Sequence, residues 1–355
     1  MSSTALDKGM ESRAITGASG ARALARAMRI WLVLGVTAVA ALVLALSIGS
    51  SAIPVGDVVH FLLHAEDSAA SQVIRELRLP RALAAFGAGG LLAFAGALMQ
   101  VLLRNPLADP YVLGLSSGSA VGALGAMLIG LGTLFINLGA FVGALLTVTL
   151  VFAFANRDLG RRQGFAAQDA SPRLLLTGVI LASGWSALIT VILVVAPEAK
   201  LRGMLFWLMG DLGGADSYVP ALVALPVAIG VLFPVARELN VMLRGQDLAH
   251  AMGVRVARLR RIVLVAASLA TAIAVTTAGT VGFIGLIVPH ALRLVIGNDQ
   301  RVLLPACALA GGTLLLLADT LARTAFSPQQ VPVGVVTAMI GVPTFMFLLL
   351  RRGGR

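Results

Sequence analysis

The sequence predicts an all-α, polytopic membrane protein with about ten transmembrane helices and several short re-entrant or cytoplasmic helices. Three observations carry that expectation. Of 355 residues, 58% are hydrophobic and only 12% are charged, with a mean hydropathy of +0.95. A soluble domain carries about 25% charged residues, so this chain has too little polar surface to cover a globule. Apolar runs recur from end to end, and a spanning helix needs about 20 such residues because lipid offers backbone N–H and C=O groups no partner. The basic residues fall between those runs, so the net charge of +11 reads as topology and not as a nucleic-acid footprint.

Taken in order, residues 1–29 form a polar, basic tail rich in Ala, Ser and Gly, expected to be cytoplasmic and disordered. One domain, 30–352, follows. Its first apolar run is longer than the roughly 7 to 15 residues of a secretory signal core, so it reads as an uncleaved span. Spans are expected near 30–50, 82–103, 112–130, 134–155, 172–195, 219–236, 262–279, 283–296, 302–322 and 333–350. The eighth is short and is followed closely by polar residues; with Pro289, His290 and Arg293 in it, a broken or partly inserted helix is expected there. Residues 51–79 are long enough for an outer surface helix. The apolar patch Met204, Leu205, Phe206, Trp207 and Leu208 reads as a short re-entrant or interfacial helix.

An even span count places both termini on one side, and the Lys/Arg bias chooses the cytoplasm. With both ends inside, 21 of the 27 basic residues are cytoplasmic. Only Arg75, Arg78, Arg81, Lys200, Arg202 and Arg323 stay outside.

Small residues at four-residue spacing, Ala85, Gly89, Ala93 and Ala97 in the second span and Gly178, Ala182, Ser186 and Thr190 in the fifth, predict close packing of both. In the fifth, Thr177, Ser183, Ser186 and Thr190 add hydroxyls, which either line a water-filled path or serve ordinary packing. Asp319 stands four residues before Arg323, so an intrahelical ion pair is the simpler account, with proton coupling through Asp319 as the alternative. A phosphate-binding loop ending in Lys-Ser/Thr is missing, since only Lys8 and Lys200 exist and neither fits. No acidic dyad, nucleophile elbow or cysteine cluster appears, and Cys307 is the one cysteine. The chain is expected to be no enzyme, to bind no metal or cofactor, and to use no nucleic acid.

The inward loop over 237–261 is too long for a minimal connector. Within it, Gly245 and Gly253 bracket a short helix with Asp247 near its N-terminus, and with Leu248, Ala251 and Met252 available as a contact face. Gly253 suits a left-handed C-terminal cap. Such a helix is either a lever for a partner protein or an ordinary surface helix.

Motifs then accumulate in order: Arg78-Leu79-Pro80-Arg81, Gly96-Ala97-Leu98-Met99-Gln100, and Arg104-Asn105-Pro106-Leu107-Ala108-Asp109-Pro110 followed by Leu113-Gly114. The second half adds Gly282-Phe283-Ile284-Gly285 through Pro289-His290, then Arg293, Asn298-Asp299-Gln300-Arg301, Val331-Pro332-Val333-Gly334 and Gly341-Val342-Pro343. Together they resemble the FecCD family of ABC importer permeases over roughly 30–352. The resemblance implies ten spans in the bacterial cytoplasmic (inner) membrane, a permease homodimer, two separate ATPase subunits that hold ATP and Mg, and a periplasmic substrate-binding protein. It implies bulky metal chelates as cargo: haem, iron siderophores or cobalamin.

By the same resemblance, Gly245, Asp247, Ala249, Met252 and Gly253 fall on the helix that couples to the ATPase. Arg78 and Arg323 fall on the binding-protein docking positions, and Gln168, Ser171 and Pro172 on the cytoplasmic gate. Asn105, Pro106, Asp109, Pro110, Gly114, Pro289, His290 and Arg293 are read as architectural rather than substrate-binding. An ion-coupled secondary transporter using Asp319 is the competing expectation.

Overall fold

A computed structural model describes residues 3–49, 51–64, 66–159, 170–214, 218–325 and 327–352. Each expected span falls on a helix: α1 Ser3–Ser47, α4 Leu79–Leu102, α5 Leu115–Leu128, α6 Thr133–Leu159, α7 Ala170–Val195, α9 Val219–Leu232, α12 Val256–Ala278, α13 Ile284–Ile296, α14 Gln300–Thr324 and α15 Val333–Arg352. Shorter helices connect them: α2 Val55–Leu63, α3 Ala69–Gln72, α8 Glu198–Leu208, α10 Ala236–Leu243 and α11 Gln246–Ala251. A π-helical stretch, Val73–Arg78, leads directly into α4. Among the described residues there is no strand.

Two features differ from expectation. The tail over 1–29 was expected to be disordered, yet α1 begins at Ser3. That segment holds seven Ala and four Arg, both good helix formers, and no proline, which lets the helix of the first span continue outward despite its Ser and Gly. The ten helices also differ in reach. Six are long and apolar enough to cross a bilayer, or seven if α9 and α10 count as one span bent by 68°. Pro234 lies at that bend. The helices α5 and α13 have 14 and 13 residues, which at about 1.5 Å per residue reach roughly 20 Å against a hydrocarbon core of about 30 Å. Backbone breaks set these lengths, with positive φ at Gly114 and Gly130 around α5 and at Gly279, Phe283 and Gly297 around α13. The expectation of a broken eighth segment agrees with that geometry.

Helix α4 is the hub. Its apolar window is 89% buried, against 6% for α7. Ala85, Gly89, Ala93 and Ala97 are fully enclosed, and α14, α12, α13 and α9 pack around them. The small-residue stripe works by backbone approach: a Cβ on Gly89 would lie 2.4 Å from the Gly311 carbonyl oxygen, and one on Gly96 would lie 1.9 Å from that of Gly285. Around this hub the outer helices α1, α6, α7, α9 and α15 expose long aliphatic faces, as a chain surrounded by lipid requires.

Candidate functional site

The short helix between Gly245 and Gly253 takes the expected form. Gly245 caps α11 at φ 135°, and Asp247 sits in the first turn. Past the C-terminus, Gly253 adopts φ 78° and donates to the His250 carbonyl, while Val254 N–H reaches back to the Ala249 carbonyl. This pair of bonds is a Schellman cap, which needs a left-handed residue at Gly253. Leu248 and Met252 are 44% and 62% exposed, and Asp247 and His250 are also exposed. Ala249, assigned to the ATPase contact from the sequence, points the other way and is fully buried in the main core. Its role is therefore corrected to anchoring α11, which packs against α10 and α12.

One element of this region was missed. Asn240 on α10 donates to Asp299 Oδ1 at 2.7 Å and accepts the Gln300 N–H at 2.8 Å. Asp299 also caps α14 through the Arg301 N–H. The arm carrying α11 is thus latched to the start of α14. The Asn298-Asp299-Gln300-Arg301 motif was visible in sequence, but nothing local marks Asn240, 59 residues away, as its partner.

The motif residues knit breaks together. Asn105 Oδ1 accepts the Leu107 N–H, and Asp109 Oδ1 accepts the Tyr111 N–H at 2.8 Å. The Tyr111 hydroxyl in turn accepts the Val281 N–H at 3.1 Å, joining the α4–α5 connection to the α12–α13 connection. Pro110 closes on Gly285, whose Cβ would lie 2.6 Å from the proline ring, and Gly114 at φ 76° abuts Gly178 of α7. Arg293 donates to Gln100 Oε1 at 2.9 Å, and Gln100 donates to the Leu286 carbonyl at 3.2 Å. His290 is buried beside them on α13, one residue after Pro289. Pro106 lies in the same connection as Asn105. Burial pushes the Asp109 carboxyl up to about 6, partly offset by its bond from Tyr111.

The outer arginines are arranged differently from expectation. Arg78 is 5% exposed and donates to the carbonyls of Leu46 and Ser51 at 2.6 Å each, and to Ser47 at 3.3 Å. Arg323 is half-buried and donates to the Ala45 carbonyl. Both guanidiniums therefore cap the C-terminal end of α1, where orphan carbonyls and the helix dipole favour cations. Docking at Arg78 is corrected accordingly, because its guanidinium is buried against these carbonyls, whereas half-buried Arg323 commits only Nη2 to α1 and keeps its expected docking position. Asp319 is corrected too: its partner is Arg81 of α4, at 2.8 Å, and not Arg323.

On α7, Ser183, Ser186 and Thr190 are exposed and Thr177 is half-buried. Ser183 and Thr190 return their hydroxyl protons to the Val179 and Ser186 carbonyls, so the helix carries them on an open face with their donors satisfied. Of the gate positions, Gln168 lies outside the described residues. Ser171 and Pro172 fall in the first turn of α7, and their side chains also lie outside the description.

A tightly buried hub, interrupted half-length helices, one almost bare helix and a short capped helix with exposed apolar tips fit a polytopic membrane permease. The chain belongs to the FecCD transport family, whose pattern matches residues 37–351. It is 43% identical over 288 residues to the cobalamin import system permease of Halobacterium salinarum, covering 80% of this chain and 74% of that one. It is 42% identical over 287 residues to the vitamin B12 import system permease of Klebsiella pneumoniae, covering 79% and 83%. A metal-chelate type ABC transporter solved in an inward-facing conformation superposes with a TM-score of 0.78 at 31% identity, covering 91% of this chain and 99% of that one. PsaBC from Streptococcus pneumoniae, at 17% identity and a TM-score of 0.55 over 82% of this chain and 94% of that one, shares the fold.

Proposed function

We propose that this chain is the permease subunit of an ATP-driven importer that moves cobalamin, or a chelate of the same bulk, across the bacterial inner membrane. The observation that carries the coupling is α11: a rigidly capped helix anchored by Ala249 with Leu248 and Met252 presented outward. A separate ATPase pair, holding ATP and Mg, receives those tips in a socket, and closure of that pair pushes the arm α10–α11. The chain itself holds no resident cofactor. Two copies enclose the path, with the bare face of α7 and its hydroxyls turned toward the axis together with α15. A wall of hydroxyls and aliphatic groups adheres weakly to a large cargo, so selectivity rests on the periplasmic binding protein. That protein meets exposed outer charges such as Arg75 and Arg202 rather than the buried Arg78. In this reading the short helices α5, α13 and α15 also reach across the core, aided by connections buried in protein, to give ten passages with both termini inside.

The choice of cobalamin is supported by the names of the relatives at 42% and 43% identity. Competition uptake in vesicles with the cognate ATPase and binding protein tests it. Labelled cobalamin should enter saturably and be displaced by unlabelled cobalamin but not by haem or a ferric siderophore. Displacement by haem or siderophore alone would overturn the cargo assignment.

A further inference from the structure

The two helices that carry the lever, α9 and α12, do not close against each other along their outer sides. Between them lies an apolar cleft of about 460 Å³, with Leu91 of α4 at its base and Ala228, Val231, Ala266 and Leu269 among its walls. Arg261 is its one charged lining residue. On α12 the cleft extends from Arg261 to Ile273, twelve residues or roughly 18 Å of helix. Half of a bilayer's hydrocarbon core is about 15 Å, so the cleft has the length of a single leaflet.

Charge is placed at one end only. Arg258 and Arg261 lie three residues apart on α12, and the exposed Val265 and Leu269 continue the same helical stripe into the cleft. Both arginines are exposed, and neither has an acidic side-chain partner among the described residues. Long basic side chains at such a boundary extend to the headgroup layer. We infer that this cleft is a binding site for one anionic phospholipid of the cytoplasmic leaflet, an acyl chain lying between α9 and α12 and the phosphate held by Arg258 and Arg261. The leaflet assignment rests on the orientation given by the basic-residue bias. The lipid class does not, and neither does it rest on the proposed cargo.

The test uses the full chain, purified and delipidated, titrated with dioleoyl phosphatidylglycerol or dioleoyl phosphatidylcholine and read by native mass spectrometry. One phosphatidylglycerol should bind more tightly than phosphatidylcholine, with the preference falling roughly fivefold for each of Arg258→Gln and Arg261→Gln, the equivalent of about 1 kcal/mol per basic residue near an anionic surface. Ala266→Phe, which fills the cleft, should weaken both lipids. Since Arg258 and Arg261 are exposed, their variants keep the fold and decide the question even if Ala266→Phe does not accumulate. Equal binding of the two lipids, or an unchanged preference in the double arginine variant, would overturn the site. So would disulfide-linked dimers of Leu269→Cys in membranes, since the cleft would then face a second copy.

Discussion

Arg81 of α4 grips Asp319 of α14 with a forked contact: Nε lies 3.1 Å and 2.9 Å from the two carboxylate oxygens, and Nη2 lies 2.8 Å from Oδ1. The Asp319 side chain is 3% exposed, and the remaining Arg81 nitrogen donates to Gln330. A carboxylate so enclosed ties the hub helix to the neighbour it packs against most extensively. An ion-coupling role would require it to be released and reprotonated in each cycle.

That contact makes a first prediction. Removing one partner strands a buried charge, which typically costs about 3 to 5 kcal/mol, whereas replacing both by apolar residues of similar volume is often near neutral. Thermal unfolding of the purified chain should show large losses for Arg81→Met and for Asp319→Leu, and recovery of most of the loss in the double variant. ATP-driven uptake should survive in the double variant. Its complete absence from a well-folded double variant would favour a coupling role for Asp319.

A second prediction concerns the end of α1. A Cβ on Gly49 would lie 2.5 Å from Nη2 of Arg78, so Gly49→Ala should displace the guanidinium from its carbonyls. Gly49→Ala and Arg78→Ala should each lower stability by about 1 to 3 kcal/mol, the cost of unsatisfied buried groups. The folded fraction should bind the periplasmic partner with unaltered affinity. A selective loss of affinity at full stability would return Arg78 to a docking role.

The lever supplies a third. Gly253→Val forces a β-branched residue to φ 78°, a conformation that disfavours L residues by roughly 1 to 2 kcal/mol, while Gly253→Asn tolerates it better. Substrate-stimulated ATP hydrolysis by the assembled complex should fall severalfold in the valine variant and be largely kept in the asparagine one. Equal hydrolysis in both would separate the cap from coupling.

A fourth follows from Asp109. Its carboxyl titrates near 6 in the folded chain against about 3.9 when free, so the folded state binds a proton more tightly. Above about pH 6 both states are ionised and the full burial cost is present; stability from this group rises as pH falls from about 6 toward 4. Asp109→Asn should keep the Tyr111 cap and flatten that rise. Unfolding midpoints at about pH 8 and about pH 5, on either side of the folded-state value, compare the two proteins. An unchanged slope in the Asp109→Asn variant would show that another group titrates.

Much of this architecture was legible from local patterns. Apolar runs marked ten helices, the spacing of Ala85, Gly89, Ala93 and Ala97 marked close packing of α4, though the same spacing at Gly178, Ala182, Ser186 and Thr190 falls on the almost bare α7, and the Gly245 and Gly253 pair marked α11 with its left-handed cap. Local signals failed where long-range pairing decides. Asp319 and Arg323 at i, i+4 suggested an intrahelical pair, but Arg81, 238 residues earlier in sequence, offers a fork that meets both oxygens. Arg78 looked like a surface charge because α1's orphan carbonyls, 32 residues upstream, could not be placed beside it. Helix ends were legible as well: the expected spans stop at Gly130, at Gly279 and just before Gly297, where the backbone turns.

In the proposed mechanism the chain is an unpowered path, driven through α11 by another protein's ATP cycle. Solute accumulation in proteoliposomes separates that mechanism from its rival, measured with the chain alone and then with the ATPase and binding protein added. Uphill uptake is expected only in the complete assembly with ATP, and none when Leu248→Asp and Met252→Asp remove the apolar tips of α11. Uphill uptake by the chain alone, driven by an ion gradient and without ATP, would refute it.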